Sequence, residues 1–377
     1  MAAIKLENLS KHYKDEQILN NVNLTLETGE TIAVFGPSGC GKTVLLRLIA
    51  GVEEPTAGRI ELHGEDMQDV APEQRGLGMA FQNFALFPHM DAYANIASPL
   101  QAGKSSADKI REGVMSVARL LKIDHVLDHT PRALSNGQKQ RTALARALAS
   151  RPRILLLDDP LRNVDAKLRF EMRLELPQLL AEQQASVLYV TQDYKEAMAL
   201  GDRIAVMGSG GHDGLVQLGT PDEIYFRPAN LEVASLFGDP AINTFPVTPV
   251  LQEGHWRVPL AGVSQLLPRP LDVALRETPQ TCIAAIRPEA VRLVAESDGQ
   301  AQTLEVLTVT PVNEKVVVML GDGQGLELLA SLPAHLPVPA VGERVAVQLP
   351  VSDLLLFERD SGRRIATEND TQPGGAA

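Results

Sequence analysis

Apolar positions follow two different rhythms along this chain. Up to about residue 240, short apolar runs alternate with stretches of helical spacing. Thr31-Ile-Ala-Val-Phe35, Ile154-Leu-Leu-Leu157 and Ser186-Val-Leu-Tyr-Val190 are nearly unbroken apolar runs, the pattern of strands covered on both faces. Ile4-Lys-Leu-Glu7 and Gly58-Arg-Ile-Glu-Leu62 alternate apolar with polar, as half-buried strands do. Val44 to Ala50 has helical length and stops at Gly51; Lys109 to Leu121 and Ser135 to Ala149 carry helical spacing. A helix-compatible stretch follows each of the two later buried strands. This α/β alternation predicts a parallel sheet with a helical insertion at about 84–150.

Beyond about residue 240 the period changes. Pro becomes frequent, helical spacing fades, and short β-like runs recur: Cys282 to Ile286, Val291 to Val294, Leu304 to Val309, Val316 to Leu320 and Val345 to Leu349. Turn-type residues separate them. The expected plan is an α/β domain at 1–237, a small all-β domain of the oligomer-binding barrel type at 238–366, and a disordered tail at 367–377. No internal repeat stands out.

Composition narrows the function. The 377 residues, 44% of them hydrophobic, suffice for two or three packed domains. With a formal net charge of −12 and no block of five basic residues, the electrostatic footprint of nucleic-acid binding is missing. No run of about 18 apolar residues offers a membrane span, and the first residues lack the apolar stretch of a signal peptide. Cys40 and Cys282 lie too far apart for zinc-type spacing, which fits a reducing compartment.

The chemistry concentrates in Gly36-Pro37-Ser38-Gly39-Cys40-Gly41-Lys42-Thr43, which fits G-x-x-x-x-G-K-[ST] between a buried strand and a helix. Such a loop aims backbone N–H groups and a helix N-terminus at phosphate. Lys42 would reach the β- and γ-phosphates of a nucleotide and the Thr43 hydroxyl would ligate Mg²⁺. Asp158 ends an apolar strand where a carboxylate can hold Mg²⁺ opposite Thr43; Asp159 follows, placed to polarise an attacking water. Gln192 ends the next strand and would face the same crevice. Cys40 is expected to be a small residue in a tight turn, or an alkylation-sensitive thiol if the loop is open.

Leu134-Ser135-Asn136-Gly137-Gln138, leading into a helix, then makes the chain resemble the ATP-binding subunits of ABC transporters, whose signature is Leu-Ser-Gly-Gly-Gln. The resemblance covers nearly the whole chain. It implies an ATP hydrolase coupled to transport, with Tyr13 stacking on adenine, Gln82 sensing Mg²⁺ and the γ-phosphate, and Asn163-Val164-Asp165 crossing a dimer interface. Ile286-Arg287-Pro288-Glu289, Leu355-Leu-Phe357 and Gly362-Arg-Arg-Ile365 are similar to the regulatory β-domain of maltose and glycerol-phosphate importers. Asn95-Ile-Ala-Ser-Pro-Leu100 resembles glycerol and polyol importers. In such a family two subunits sandwich two ATP molecules, each held between one phosphate loop and the partner's Ser135, Asn136, Gly137 and Gln138. The implied partners are a second ATP-binding subunit, transmembrane permease subunits and, indirectly, an extracytoplasmic solute-binding protein. The implied location is the cytoplasmic face of the cell membrane. Phe84-Ala-Leu-Phe87-Pro-His-Met90 would line the cleft that receives a permease helix.

Four positions depart from the family pattern. Asp159 replaces a Glu, retracting the carboxylate by roughly 1.5 Å, enough to cost on the order of a hundredfold in rate. Gln192 replaces a His, so it cannot titrate, yet it can donate to phosphate and accept from water, as Gln does in small GTPases. Val44 replaces a hydroxyl residue, losing one hydrogen bond of roughly 1 kcal/mol. Asn136 replaces a Gly; Asn tolerates left-handed backbone but adds bulk. Two readings stand: a slow, working homodimeric ATPase, or one half of a heterodimer acting as a weakly hydrolytic or non-hydrolytic ATP-gated regulator. A soluble ABC protein of DNA repair or translation fits less well, since its tandem domains or coiled-coil insertion are missing.

Overall fold

The computed structural model describes residues 1–14, 16–209, 214–253, 255–260, 263–267, 281–294 and 301–365, so the expected tail at 367–377 lies outside the described residues. The chain forms two compact units, Met1–Glu223 and Ile224–Ala377.

In the first unit, a four-stranded antiparallel sheet runs β2-β1-β4-β5, from β1 (Ala2–Tyr13), β2 (Glu16–Glu27), β4 (Ala57–Leu62) and β5 (Glu65–Asp66). A second sheet contains β3 (Thr31–Phe35), β6 (Leu77–Ala80), β7 (Ile154–Asp158), β8 (Ser186–Thr191), β9 (Arg203–Met207) and β10 (Leu215–Gly219), in the order β10-β9-β3-β8-β7-β6. All its pairings are parallel except β10 on β9. Every residue of β3, β7 and β8 is buried, as their unbroken apolar runs require.

The period of two sorts those side chains onto two cores. Ile154, Leu156, Leu188 and Val190 join Leu45, Leu46, Leu48 and Ile49 of helix α1 (Lys42–Ala50) and Ile4, Leu6 and Leu9 of β1. Leu155, Leu157, Val187 and Tyr189 face the opposite cluster, which includes α2 (Ala92–Ala102), α3 (Ala107–Leu120), α4 (Asn136–Ala149) and α5 (Ala166–Gln183). Burying each such Leu or Val contributes about 1.5–3 kcal/mol. Helices α2, α3 and α4 are the expected helical insertion; α3 offers Val114, Val117 and Ala118 to the core at i, i+3, i+4 spacing. Helix α6 (Tyr194–Leu200) follows β8.

Register decides where the chemistry meets. Phe35 pairs with Thr191, and Asp158 with Val190. The carboxyl ends of β3, β7 and β8 therefore lie side by side, and the chain leaves them as the Gly36 loop, as Asp159 and as Gln192.

The second unit contains a short helix α7 (Leu231–Leu236) and a β-domain. Its strands are β11 (Asn243–Val247), β12 (Val250–Gln252), β13 (His255–Leu260), β14 (Val263–Leu266), β15 (Cys282–Ile286), β16 (Arg292–Val294), β17 (Gln302–Val312), β18 (Lys315–Gly321), β19 (Glu327–Pro333), β20 (Arg344–Gln348) and β21 (Leu355–Glu358). Among the described residues they form sheets ordered β11-β15-β21, β12-β13-β14 and β16-β20-β17-β18-β19 around one apolar core. The division between units falls ahead of the expected boundary after residue 237 because α7 belongs with these strands. Ala234 shares a cluster with Ile242, Ala285 and Phe357. Arg287, buried, donates to the Ala234, Phe237 and Tyr225 carbonyls and stacks 3.7 Å from the Tyr225 ring centroid.

Candidate active site

Gly36 opens the phosphate loop at the end of β3. A Cβ there would meet the Met207 carbonyl at 2.5 Å, so glycine lets the loop lie against the end of β9. Gly41 has φ +97°, and a Cβ on it would strike Leu19 at 2.7 Å. Gly41 is the N-cap of α1, no side chain caps this end, and the first turn carries no acidic residue. The first N–H groups of α1 are thereby offered to an anion.

Lys42 is 6% exposed. Its ammonium donates to the Gly36 and Pro37 carbonyls at 2.8 and 2.6 Å, which fixes a positive charge inside the loop. Cys40 is buried with its sulfur 3.5 Å from that ammonium, so the open-loop thiol is not what forms. Thr43 Oγ1 donates to Asp158 Oδ1 at 3.1 Å. Burial holds the Asp158 carboxyl above its usual range, opposed by the Thr43 donor and by Arg47 and Lys42.

An open cavity of about 290 Å³ lies over these groups. It is lined by Tyr13, Ile18, Gly39, Gly41, Lys42, Thr43, Val44, Gln82, Asp158, Asp159, Val190 and Gln192. Ten of the expected site residues thus share one rim, from Tyr13 of β1 to Gln192 beyond β8. Gly36, Pro37, Ser38 and Cys40 build the turn behind it. Ser38 donates to Gln192 Oε1 at 3.0 Å, tying the loop to the end of β8.

The donor set fits a magnesium–triphosphate. The glycine cradle, Lys42 and the uncapped helix end suit phosphate, whereas one carboxylate and one hydroxyl suit an ion that completes its shell with phosphate oxygens and water. Among the described residues no His, Cys, Asp and Glu side chains cluster into a metal cage.

Asp159 is buried, with φ +50°. Burial raises its carboxyl above the usual range, and Asp158 adds to this; Arg162, 3.9 Å away, opposes it. Its N–H donates to the Val190 carbonyl at 2.9 Å.

The signature residues sit elsewhere. Ser135 caps α4 in a reciprocal box: its Oγ accepts from Gln138 N at 3.2 Å, and its N–H donates to Gln138 Oε1 at 2.9 Å. Asn136 is the first residue of α4, with right-handed backbone, so its tolerance of left-handed geometry is not called upon. Ser135 and Asn136 are exposed. Among the described residues, none of Ser135, Asn136, Gly137 or Gln138 lines the cavity.

The neighbouring segment is held from two sides. Phe84 and Ala85 have φ of +66° and +47°, and Arg146 of α4 donates to their carbonyls at 3.3 and 2.8 Å. Asn95, fully buried, accepts from Phe87 N at 2.8 Å and donates to the Phe87, Met90 and Asp91 carbonyls.

Sequence reasoning missed Gln140, Arg146, Arg162 and Glu196. Glu196 of α6 is 1% exposed and accepts from the Tyr189 and Thr191 hydroxyls at 2.8 and 2.9 Å, behind the end of β8. A polar residue beside the apolar run Ala197 to Leu200 was the signal available for Glu196; Gln140, within the polar run Gln138 to Thr142, carried none.

Known proteins bear on this arrangement in three ways. A family model described as ABC transporter matches residues 19–162, and a TOBE domain model matches 284–357. The chain is 38% identical over 368 residues to the sn-glycerol-3-phosphate import ATP-binding protein UgpC of Yersinia pseudotuberculosis, covering 97% of this chain and 99% of the relative. It is 39% identical to the protein of the same name from Ruegeria pomeroyi, covering 97% of this chain and 100% of the relative. The trehalose import ATP-binding protein SugC of Mycobacterium tuberculosis is 37% identical, with 97% of this chain and 98% of the relative covered. A solved dimer of the bacterial ABC transporter cassette MJ0796 superposes with TM-score 0.54 at 31% identity, over 58% of this chain and 98% of that one. With such likeness along nearly its whole length, a phosphate loop facing Asp158 and a C-terminal β-domain matched by the TOBE model, the chain belongs to the ATP-binding subunits of ABC transporters.

Proposed function

We propose that this chain hydrolyses Mg²⁺-ATP to drive import of a polyol, polyol phosphate or sugar through separate permease subunits. The observation that carries this reading is the separation of two half-sites. Lys42, Thr43 and Asp158 share one cavity, while exposed Ser135 and Asn136 lie outside its lining. A signature segment that does not line its own cavity has use as the lid of another protomer's. The named importer relatives, matched end to end, supply the solute class. Among the described residues no helix is long and apolar enough to cross a membrane. The permease subunits in this reading are separate chains, with this one peripheral at the cytoplasmic face.

The residues take these roles. Lys42 and the α1 N-terminus hold the β- and γ-phosphates; Thr43 and Asp158, with Gln82, hold Mg²⁺, which supplies charge neutralisation on the phosphates. Tyr13 stacks on the base. Asp159, its basicity raised by burial, accepts the proton of the attacking water, and Gln192 orients that water from across the cavity. The Ser135 hydroxyl, whose oxygen already accepts from Gln138, donates to the facing γ-phosphate. The short Asp159 and the non-titrating Gln192 make turnover slow.

A second reading is favoured by the Arg162–Asp159 pair: a cation beside the short carboxylate weakens it as a base. In that reading the chain is the weakly hydrolytic half of a heterodimer. Co-purification from native membranes and turnover with permease and solute-loaded binding protein decide between them. Stimulation by sn-glycerol 3-phosphate, glycerol or trehalose with a single ATPase species supports the homodimeric importer. A second, different ATPase with turnover residing there supports the heterodimer, and flat turnover in every assembly rejects coupled transport.

A further inference from the structure

The side chain of Gln140 lies one turn into α4, 3% exposed, between the signature segment and the end of β7. Its Nε2 donates to the Asp159 carbonyl at 2.7 Å, and its Oε1 accepts from Asn163 N at 2.7 Å. Asp159 sits in the left-handed region, at φ +50°, where a residue with a Cβ stays only if its surroundings fix it. Its N–H is fixed by the Val190 carbonyl and its C=O by Gln140. Three positions earlier on α4, Gly137 lets the following loop come close: a Cβ there would meet the Asn163 carbonyl at 3.0 Å.

We infer that Gln140 is a positioning residue for hydrolysis. It sets the direction of the Asp159 carboxylate by clamping that residue's backbone, and it fastens the same clamp to the loop at Asn163. The signature helix and the water-facing carboxylate of one protomer therefore move together. When the signature closes over a partner's nucleotide, the shift of α4 passes through one amide to Asp159 at the protomer's own nucleotide. This role rests on the ATPase reading and deepens it. A buried Gln that only satisfied loop backbone would serve stability alone; here one of its two partners is the backbone of Asp159, which lines the nucleotide cavity.

The test is steady-state and single-turnover Mg²⁺-ATP hydrolysis by the full chain. Gln140→Glu keeps the acceptor for Asn163 N and loses the donor to Asp159. Gln140→Met keeps the volume and loses both. The expected result is a fall in kcat of about ten- to a hundredfold with KM for ATP within about twofold, since misplacement of a reacting group by an ångström costs that order. In an Asp159→Asn background, Gln140→Glu should change turnover by less than about twofold, because the group it aims is gone. Hydrogen exchange keeps the proposal open to refutation if Gln140→Met is unstable: the Asn163 amide should exchange faster in that variant while residues of α4 stay protected. A kcat loss equal in both backgrounds, a parallel rise in KM, or unchanged turnover would overturn the positioning role. An ATP-binding wild type with no turnover in any assembly would instead sink the ATPase reading, and this role with it.

Discussion

The Thr43 hydroxyl donates to Asp158 Oδ1 at 3.1 Å, joining the first turn of α1 to the end of β7. The two groups meet because β3 and β7 both flank β8 and all three end at the same level. If this pair holds Mg²⁺, Thr43→Val and Asp158→Asn should each lower kcat by about a hundredfold or more, and Thr43→Ser should not. Mg²⁺ titration of turnover checks this; equal activity in Thr43→Val and Thr43→Ser would rule the hydroxyl out as a ligand.

Asp159→Glu combined with Gln192→His should raise turnover roughly tenfold or more, by restoring reach and a titrating donor at the cavity rim. Ser38, which now donates to Gln192, stands ready to bond the imidazole. Unchanged turnover in the double variant would mean that another step limits the rate.

Arg146 holds two left-handed residues, Phe84 and Ala85, through their carbonyls. Arg146→Ala should leave the isolated chain's turnover within about threefold and cut solute stimulation of the assembled transporter about two- to thirtyfold, the usual span of a coupling energy. Loss of both in equal measure would assign Arg146 to folding alone.

Burial holds the Glu196 carboxyl above its ordinary 4.5, against the hydroxyls of Tyr189 and Thr191 that favour the charged form. The folded state therefore prefers the protonated group. Stability of the wild type relative to Glu196→Gln is fully present below 4.5 and is lost as pH rises through the raised folded value. Thermal midpoints of both proteins from about pH 4 to pH 8 test the sign. A difference that grows in the wild type's favour with rising pH contradicts it.

In the second unit, Arg287→Leu should cost about 2–4 kcal/mol, because the buried Ala234, Phe237 and Tyr225 carbonyls lose their donor. Denaturant unfolding of the full chain should show this loss in the transition of the β-domain, with nucleotide binding unaffected. A variant as stable as the wild type would show that water replaces the guanidinium.

The chain's own order of residues determined the two-domain plan, the parallel strands and the phosphate loop. Each is a local matter: a run of apolar residues long enough for a buried strand, a change of period near residue 240, glycines where a side chain would collide. It also determined that Lys42, Thr43, Asp158 and Gln192 belong together, since strand ends in such a sheet converge. Only the tertiary structure decided the rest. Asn136 became an ordinary first helical residue because Ser135 and Gln138 close the cap around it. The segment 224–237 joined the β-domain because Arg287, some fifty residues later, binds its carbonyls. Gln140 reached both Asp159 and Asn163 through packing of α4 against the strand end. A side-chain amide has no local signature of its partner. Its bond depends on a backbone carbonyl nineteen residues away coming within 2.7 Å of the amide nitrogen, which the fold as a whole sets.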